Sequence, residues 1–224
     1  MDNEVTIVIS SKKDSTENMQ LLKNINDTIG VSNKIMHIQN NGVSLTTVYQ
    51  DAMDKSSTDI IIFIHDDVEF LRCGWGSEIV RLFNEHQEYG IIGVAGSAEF
   101  DSNAMWWNYS KKYGQVLHRS EGNSWLTTFS PLLKKDLEEV CVIDGLFMAV
   151  HKNRISSGFS KDIEGFNFYD IDFCLTNFLD GKTKIGVTTN IRMAHNSVGE
   201  LSENWFNNKE KINKKFDKNY PISV

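Results

Sequence analysis

Residues 59–70, DIIIFIHDDVEF, run from a block of apolar side chains into a histidine, two aspartates and a glutamate. Carboxylates are hard oxygen ligands of the kind that suit Mg²⁺ or Mn²⁺. Three further segments place reactive side chains beside apolar runs: Asp144-Gly145, Tyr169-Asp170-Ile171-Asp172 and Ala194-His195-Asn196-Ser197. A metal-dependent transfer from an activated donor needs a carboxylate to hold the cation, the cation to neutralise an anionic leaving group, and a base to take the acceptor's proton. The four segments can supply all three. Each also has an ordinary use. Acidic runs form solvated turns and helix caps, a late histidine serves as a polar core residue, and Asp144-Gly145 fits a bulge between strands.

These segments need elements to hold them at the edge of a core. Ile60, Ile61, Ile62, Phe63 and Ile64 are β-branched or aromatic without alternation, as in a strand covered on both faces within a parallel sheet. Such sheets bind ligands beyond the C-terminal ends of their strands, where His65, Asp66 and Asp67 fall. Upstream, residues 6–10 and 34–39 read as strands, 17–28 as a helix, and 44–53 as a helix with Leu45, Val48, Tyr49 and Ala52 on one face. This order predicts a doubly wound, mostly parallel α/β sheet with right-handed crossovers.

Downstream, residues 76–86 read as a helix, 91–95 as a strand, and 139–151 as two strand pieces joined at Asp144 and Gly145. Residues 166–179 read as a helix, 184–187 as a strand, and 202–218 as a helix carrying five lysines. The stretch 97–130 is aromatic without periodicity, through Trp106, Trp107, Tyr109, Tyr113 and Trp125. It fits a loop or hairpin over a site, or a small satellite core under a long loop. There is no repeat and no linker, and the only two prolines, Pro131 and Pro221, mark no boundary. A single domain is expected, with a nucleotide-binding half (1–100), an acceptor and catalytic half (101–200) and a helical tail (201–224).

The 224 residues are 40% hydrophobic and 24% charged, an ordinary globular composition. A formal charge of −7 argues against a general nucleic-acid binder. Cys73, Cys141 and Cys174 are odd in number and widely spaced, unlike a disulfide framework or a zinc site, which fits a reducing compartment. The first residues are acidic with a short apolar run, unlike a signal peptide, and no span of about 18 apolar residues occurs. A cytoplasmic protein is expected.

The order of these motifs, from residue 6 to about 199, resembles a family 2-like glycosyltransferase of the GT-A fold, which implies a mostly parallel sheet flanked by helices with a smaller antiparallel element in the C-terminal half. IIIFIHDDVEF stands where that family places D-x-D after a hydrophobic strand, and NFYDIDFCL where it places an acidic motif before a hydrophobic helix. The resemblance implies a metal-dependent, hexosyltransferase-type enzyme of polysaccharide biosynthesis. It would move a sugar from a nucleotide-diphosphate donor, UDP-linked, to a hydroxyl of a glycan or lipid-linked glycan, with inversion. His65 takes the first acid's place, which is similar to a bacterial subgroup with an H-x-D variant. Asp67, with His195 and His65, would then hold Mn²⁺ or Mg²⁺, and Asp66 reach the ribose or stay structural. A second register, Asp67 with Glu69, is also open.

Tyr169 stands where the family has glutamate. Asp170 matches the general base, although a helix N-terminus also favours an acid there, and Asp172 reads as structural. Ser10 and Asn40 lie where the family holds base and ribose, Asn40 replacing the usual aspartate. Asp144 and Gly145 would line the donor sugar, while Trp106 and Trp107 offer rings for stacking. The lysines of the tail would meet anionic lipid at the inner face of a membrane. Two other readings stay open. One is a sugar-phosphate nucleotidyltransferase, although SSKKDST after the first strand lacks the glycines of a phosphate loop. The other is a silent sugar-nucleotide-binding subunit, since His65 and Tyr169 stand where acids are usual.

Overall fold

The computed structural model describes residues 4–130, 135–197 and 201–224. Pro131 and the end of the RMAHNSVGE segment lie outside them. The elements run β1 (Val5–Ser11), α1 (Met19–Thr28), β2 (Asn33–Gln39), α2 (Leu45–Lys55), β3 (Ile60–Ile64), β4 (Val68–Phe70), α3 (Trp75–Glu85), β5 (Tyr89–Gly93), β6 (Ala95–Ser97) and β7 (Glu99–Phe100). They continue with β8 (Lys112–Ser120), β9 (Asn123–Thr128), β10 (Glu138–Val140), β11 (Val142–Ile143), β12 (Phe147–His151), α4 (Tyr169–Leu179), β13 (Lys184–Val187), β14 (Met193–His195), α5 (Glu203–Phe216) and β15 (Ile222–Ser223).

Seven strands form the main sheet in the order β10-β13-β5-β12-β3-β1-β2. The first crossovers are as the sequence pattern requires: β1 lies between β2 and β3, parallel to both. β12 enters antiparallel between β3 and β5, and β13 is parallel to β5. Direction could not be read for β12, because an all-apolar FMAV run is buried on both faces whichever way it points. Every residue of β3 is buried, and Phe63 packs on Tyr49 of α2 at 4.5 Å and on Phe159 at 5.2 Å.

A second sheet, β11-β6-β8-β14-β4 with β9 on β8, stands over the C-terminal end of β3. Residues 91–95 read as one strand and 139–151 as two pieces joined at Asp144 and Gly145, yet the chain changes sheet at Val94 and again at Cys141, between β10 and β11. Within the second sheet β6 and β11 approach closely at Gly96, where a Cβ would lie 2.2 Å from the Val142 carbonyl oxygen, so only glycine fits. The aromatic stretch forms the hairpin β8-β9.

α5 packs back on the body of the protein. Its Lys215 Nζ lies 2.6 Å from Asp172 Oδ1, and that aspartate side chain is 2% exposed, the structural role its sequence position suggested. Lys211 pairs with Glu164 at 3.5 Å, and Lys209 sits over the Trp205 ring. Three of the five tail lysines therefore face protein groups. Among the described residues no helix is long and apolar enough to cross a membrane.

Candidate active site at the end of strand β3

The main chain of β3 is held to the chain before β12 by the His65 N–H donating to the Leu146 carbonyl at 3.2 Å. Asp66 turns toward β1, where Ser11 Oγ donates to its Oδ2. Ser11 Oγ accepts from Asn18 Nδ2 at 2.9 Å, and the same amide lies 2.8 Å from His37 Nε2. Asn40 Nδ2 donates to Ser10 Oγ at 3.1 Å, while its Oδ1 accepts from the N–H groups of Gly42 and Val43. Ser10, Asn40 and Asp66 thus share the C-terminal edge of β1, β2 and β3, and Asn40 also closes its own loop.

A short ladder places the late histidine. β14 pairs antiparallel with β4, setting His195 opposite Val68, and the Asn196 N–H donates to the Asp67 carbonyl at 2.8 Å. His195 Nε2 consequently lies 3.3 Å from Asp67 Oδ1, an ion-pair contact, while Oδ1 is buried with no hydrogen-bond partner. Burial alone would raise the Asp67 carboxyl, but His195 and Ser197 hold it well below the usual carboxylate range. Burial likewise opposes the charge on His195, and the Asp67 carboxylate more than offsets this and raises its pKa.

His65, Asp67 and His195 each present a ligand atom within 4.8 Å of the others. One carboxylate, whose buried Oδ1 has no hydrogen-bond partner, and two imidazoles form a donor set that fits a divalent cation such as Mn²⁺. Among the described residues a second cluster, Glu85, His86 and Asp136, is crossed by the Arg81 guanidinium, which pairs with both acids and takes the place a cation would need. In the second register of the HDDVE segment, Glu69 is ion-paired with Arg119.

The acidic motif opens α4, with Phe168 at φ +69° turning the chain into the helix. Asp170 Oδ2 accepts from the Gly145 N–H at 2.7 Å and Oδ1 from the Ile171 N–H at 2.8 Å. Burial and the nearby Asp144 carboxylate push its pKa up to about 7, so near neutral pH it exchanges a proton readily. Asp144 Oδ1 accepts from the Leu146 N–H at 3.0 Å. Gly145 is dictated by Tyr169, because a Cβ there would lie 2.1 Å from the Tyr169 hydroxyl oxygen. Its missing side chain makes room for that phenol.

One expectation is corrected. Trp106 is 4% exposed and packs on Phe129 at 4.9 Å and Trp107 at 6.0 Å, so its faces are covered and it cannot serve as a sugar platform. The ring that reaches the site is Trp125, 41% exposed, stacked on His118 at 5.6 Å. His118 sits opposite His195 across the β8-β14 pair, with ring centroids 5.8 Å apart, and its buried Nδ1 lacks a partner. Phe166, 55% exposed, covers His65 at 5.1 Å. His118 and Phe166 carried no motif. Only strand register and the turn before α4 bring them here.

The chain matches the model of the Glycosyltransferase like family over residues 5–220. No curated protein matches it. Among solved structures it is similar to GalNAc-T7 with UDP, GalNAc and Mn²⁺, with a TM-score of 0.63 at 8% identity over 94% of this chain and 47% of that one. It is similar to the mannosyltransferase PcManGT from Pyrobaculum calidifontis in complex with GDP-Man and Mn²⁺, with a TM-score of 0.55 at 9% identity over 96% and 63%. It is also similar to A197 from STIV, with a TM-score of 0.50 at 13% identity over 87% and 86%. The chain spans about half of GalNAc-T7 and under two thirds of PcManGT. At these identities the likeness is one of fold, and the fold is GT-A.

Proposed function

The chain belongs to the glycosyltransferase-like family, and from that premise we propose that it moves a sugar from a nucleotide-diphosphate donor, with UDP-sugars the first candidates, to a hydroxyl of a glycan or glycolipid, with inversion. The observation that carries this reading is the meeting, at one sheet edge, of the His65, Asp67 and His195 cluster with a carboxyl tuned to about 7. These parts come from elements more than a hundred residues apart in sequence.

Asp67, His195 and His65 would hold a divalent cation, and two imidazoles with one carboxylate favour Mn²⁺ over Mg²⁺. Bound there, the cation supplies charge neutralisation for the departing diphosphate. Ser10, Asn40 and Asp66, on the edge of β1 to β3, take the nucleoside. Asp144 and Gly145 border the donor sugar. Asp170 accepts the proton of the acceptor hydroxyl as its oxygen bonds to the anomeric carbon and the bond to the diphosphate breaks. A pKa near the working pH gives a base that is largely free yet strong enough to take that proton.

A panel of nucleotide sugars with Mn²⁺, read as nucleotide diphosphate released with and without glycan acceptors, tests the reading. We expect release from at least one donor, and loss of Mn²⁺-dependent UDP binding in Asp67→Ala. Tight nucleotide binding without release from any donor would mark a silent binding subunit instead. Unchanged UDP affinity of Asp67→Ala in Mn²⁺ would move the cation elsewhere.

A further inference from the structure

We propose that Tyr169 is a positioning residue for His65: its hydroxyl oxygen accepts the imidazole Nε2–H and so leaves Nδ1 as the lone pair offered to a cation. The proposal rests on the metal reading above and explains why two departures from the family's acids occur together.

The direction of the hydrogen bonds follows from donor counting. A phenol has one proton and can also accept. The Tyr169 hydroxyl touches two partners, the Gly145 carbonyl oxygen at 2.9 Å and His65 Nε2 at 2.9 Å. A carbonyl can only accept, so the phenolic proton goes to Gly145. The contact to His65 is then satisfied only if Nε2 carries a hydrogen. A neutral imidazole has a single N–H, so with Nε2 as the donor Nδ1 carries the lone pair.

The hydroxyl has little freedom to turn away. The ring is buried, it packs edge-on against Tyr49 at 5.5 Å, and the Gly145 N–H is tied to Asp170. A metal-binding imidazole characteristically donates its other N–H to a fixed acceptor, which sets tautomer and ring orientation.

The test uses the whole chain labelled with ¹⁵N-histidine. Two-bond ¹⁵N–¹H correlation without metal reads the tautomer of His65, assigned with His65→Gln. We expect Nε2–H in the wild type and its loss in Tyr169→Phe. Mn²⁺ titration should show affinity falling about 10- to 100-fold in Tyr169→Phe, and less than 2-fold when the same change is made in a His65→Ala background. An Nδ1–H tautomer in the wild type overturns the proposal. So does unchanged Mn²⁺ affinity in a folded Tyr169→Phe, or an equal loss with His65 already removed. Absence of Mn²⁺ binding to the wild type overturns the metal reading itself, and the metal-free tautomer measurement tells that failure from a wrong hydrogen-bond assignment.

Discussion

At the scale of single residues the site turns on how two half-buried carboxyls are treated. Asp67 is held charged by a histidine, whereas Asp170 has only backbone N–H groups and a like charge nearby. The first is suited to holding a cation and the second to trading a proton. Asp170→Asn should leave nucleotide binding intact and lower transfer about 100-fold or more, the range for removing a general base, as donor-release kinetics would show. The pH profile gives a sharper check. The base works when deprotonated, so kcat/KM should rise with pH as Asp170 loses its proton. The Asp144 carboxylate helps hold that pKa up, so Asp144→Asn should move the rising limb to lower pH. An unmoved limb would separate the two acids. Asp67 and Asp170 were legible in the sequence because acids after apolar runs are conspicuous. The company each keeps was not, since His195 reaches Asp67 only through the β4-β14 register and Tyr169 reaches His65 from the turn at Phe168 that opens α4.

At the scale of elements, long patterns were readable and short ones were not. β1, α1, β2, α2 and β3 each extend over five residues or more and announce themselves by period, and their order dictates the edge proposed to take the nucleotide. β4 and β14 are three residues each, too short for any periodicity, and their existence depends on pairing with each other across more than a hundred residues. The hairpin β8-β9 was readable as a possibility but not in register, and register is what puts Trp125 rather than Trp106 at the site. α5 offers a direct test of how an element is tied down. Lys215 is the partner of an Asp172 side chain that is 2% exposed. Lys215→Ala leaves that carboxylate without its cation and should destabilise the fold, by less than the ~3 kcal/mol of a fully buried pair because the Lys215 side chain is 36% exposed, measured by urea unfolding. A double variant, Lys215→Met with Asp172→Leu, should recover much of the loss, because apolar replacement removes the desolvation cost as well.

At the scale of the whole molecule, charge decides whether the tail brings the protein to a lipid surface. The sequence shows five lysines between 209 and 218, and read alone they make a plausible anionic-lipid face. Folding commits Lys215 to Asp172, Lys211 to Glu164 and Lys209 to the face of Trp205. Lys214 and Lys218 remain, at about 1 kcal/mol each beside an anionic surface. That is a small attraction for a chain of formal charge −7, whose field is repelled by the same surface. Vesicle sedimentation should therefore be the same for neutral vesicles and for vesicles rich in anionic lipid, at low salt where any attraction is largest. Binding that rises with anionic lipid and falls with salt would mean that the three engaged lysines leave their partners. In that case Lys215→Met should weaken the sedimentation and lower the stability together, since the same ammonium group serves both.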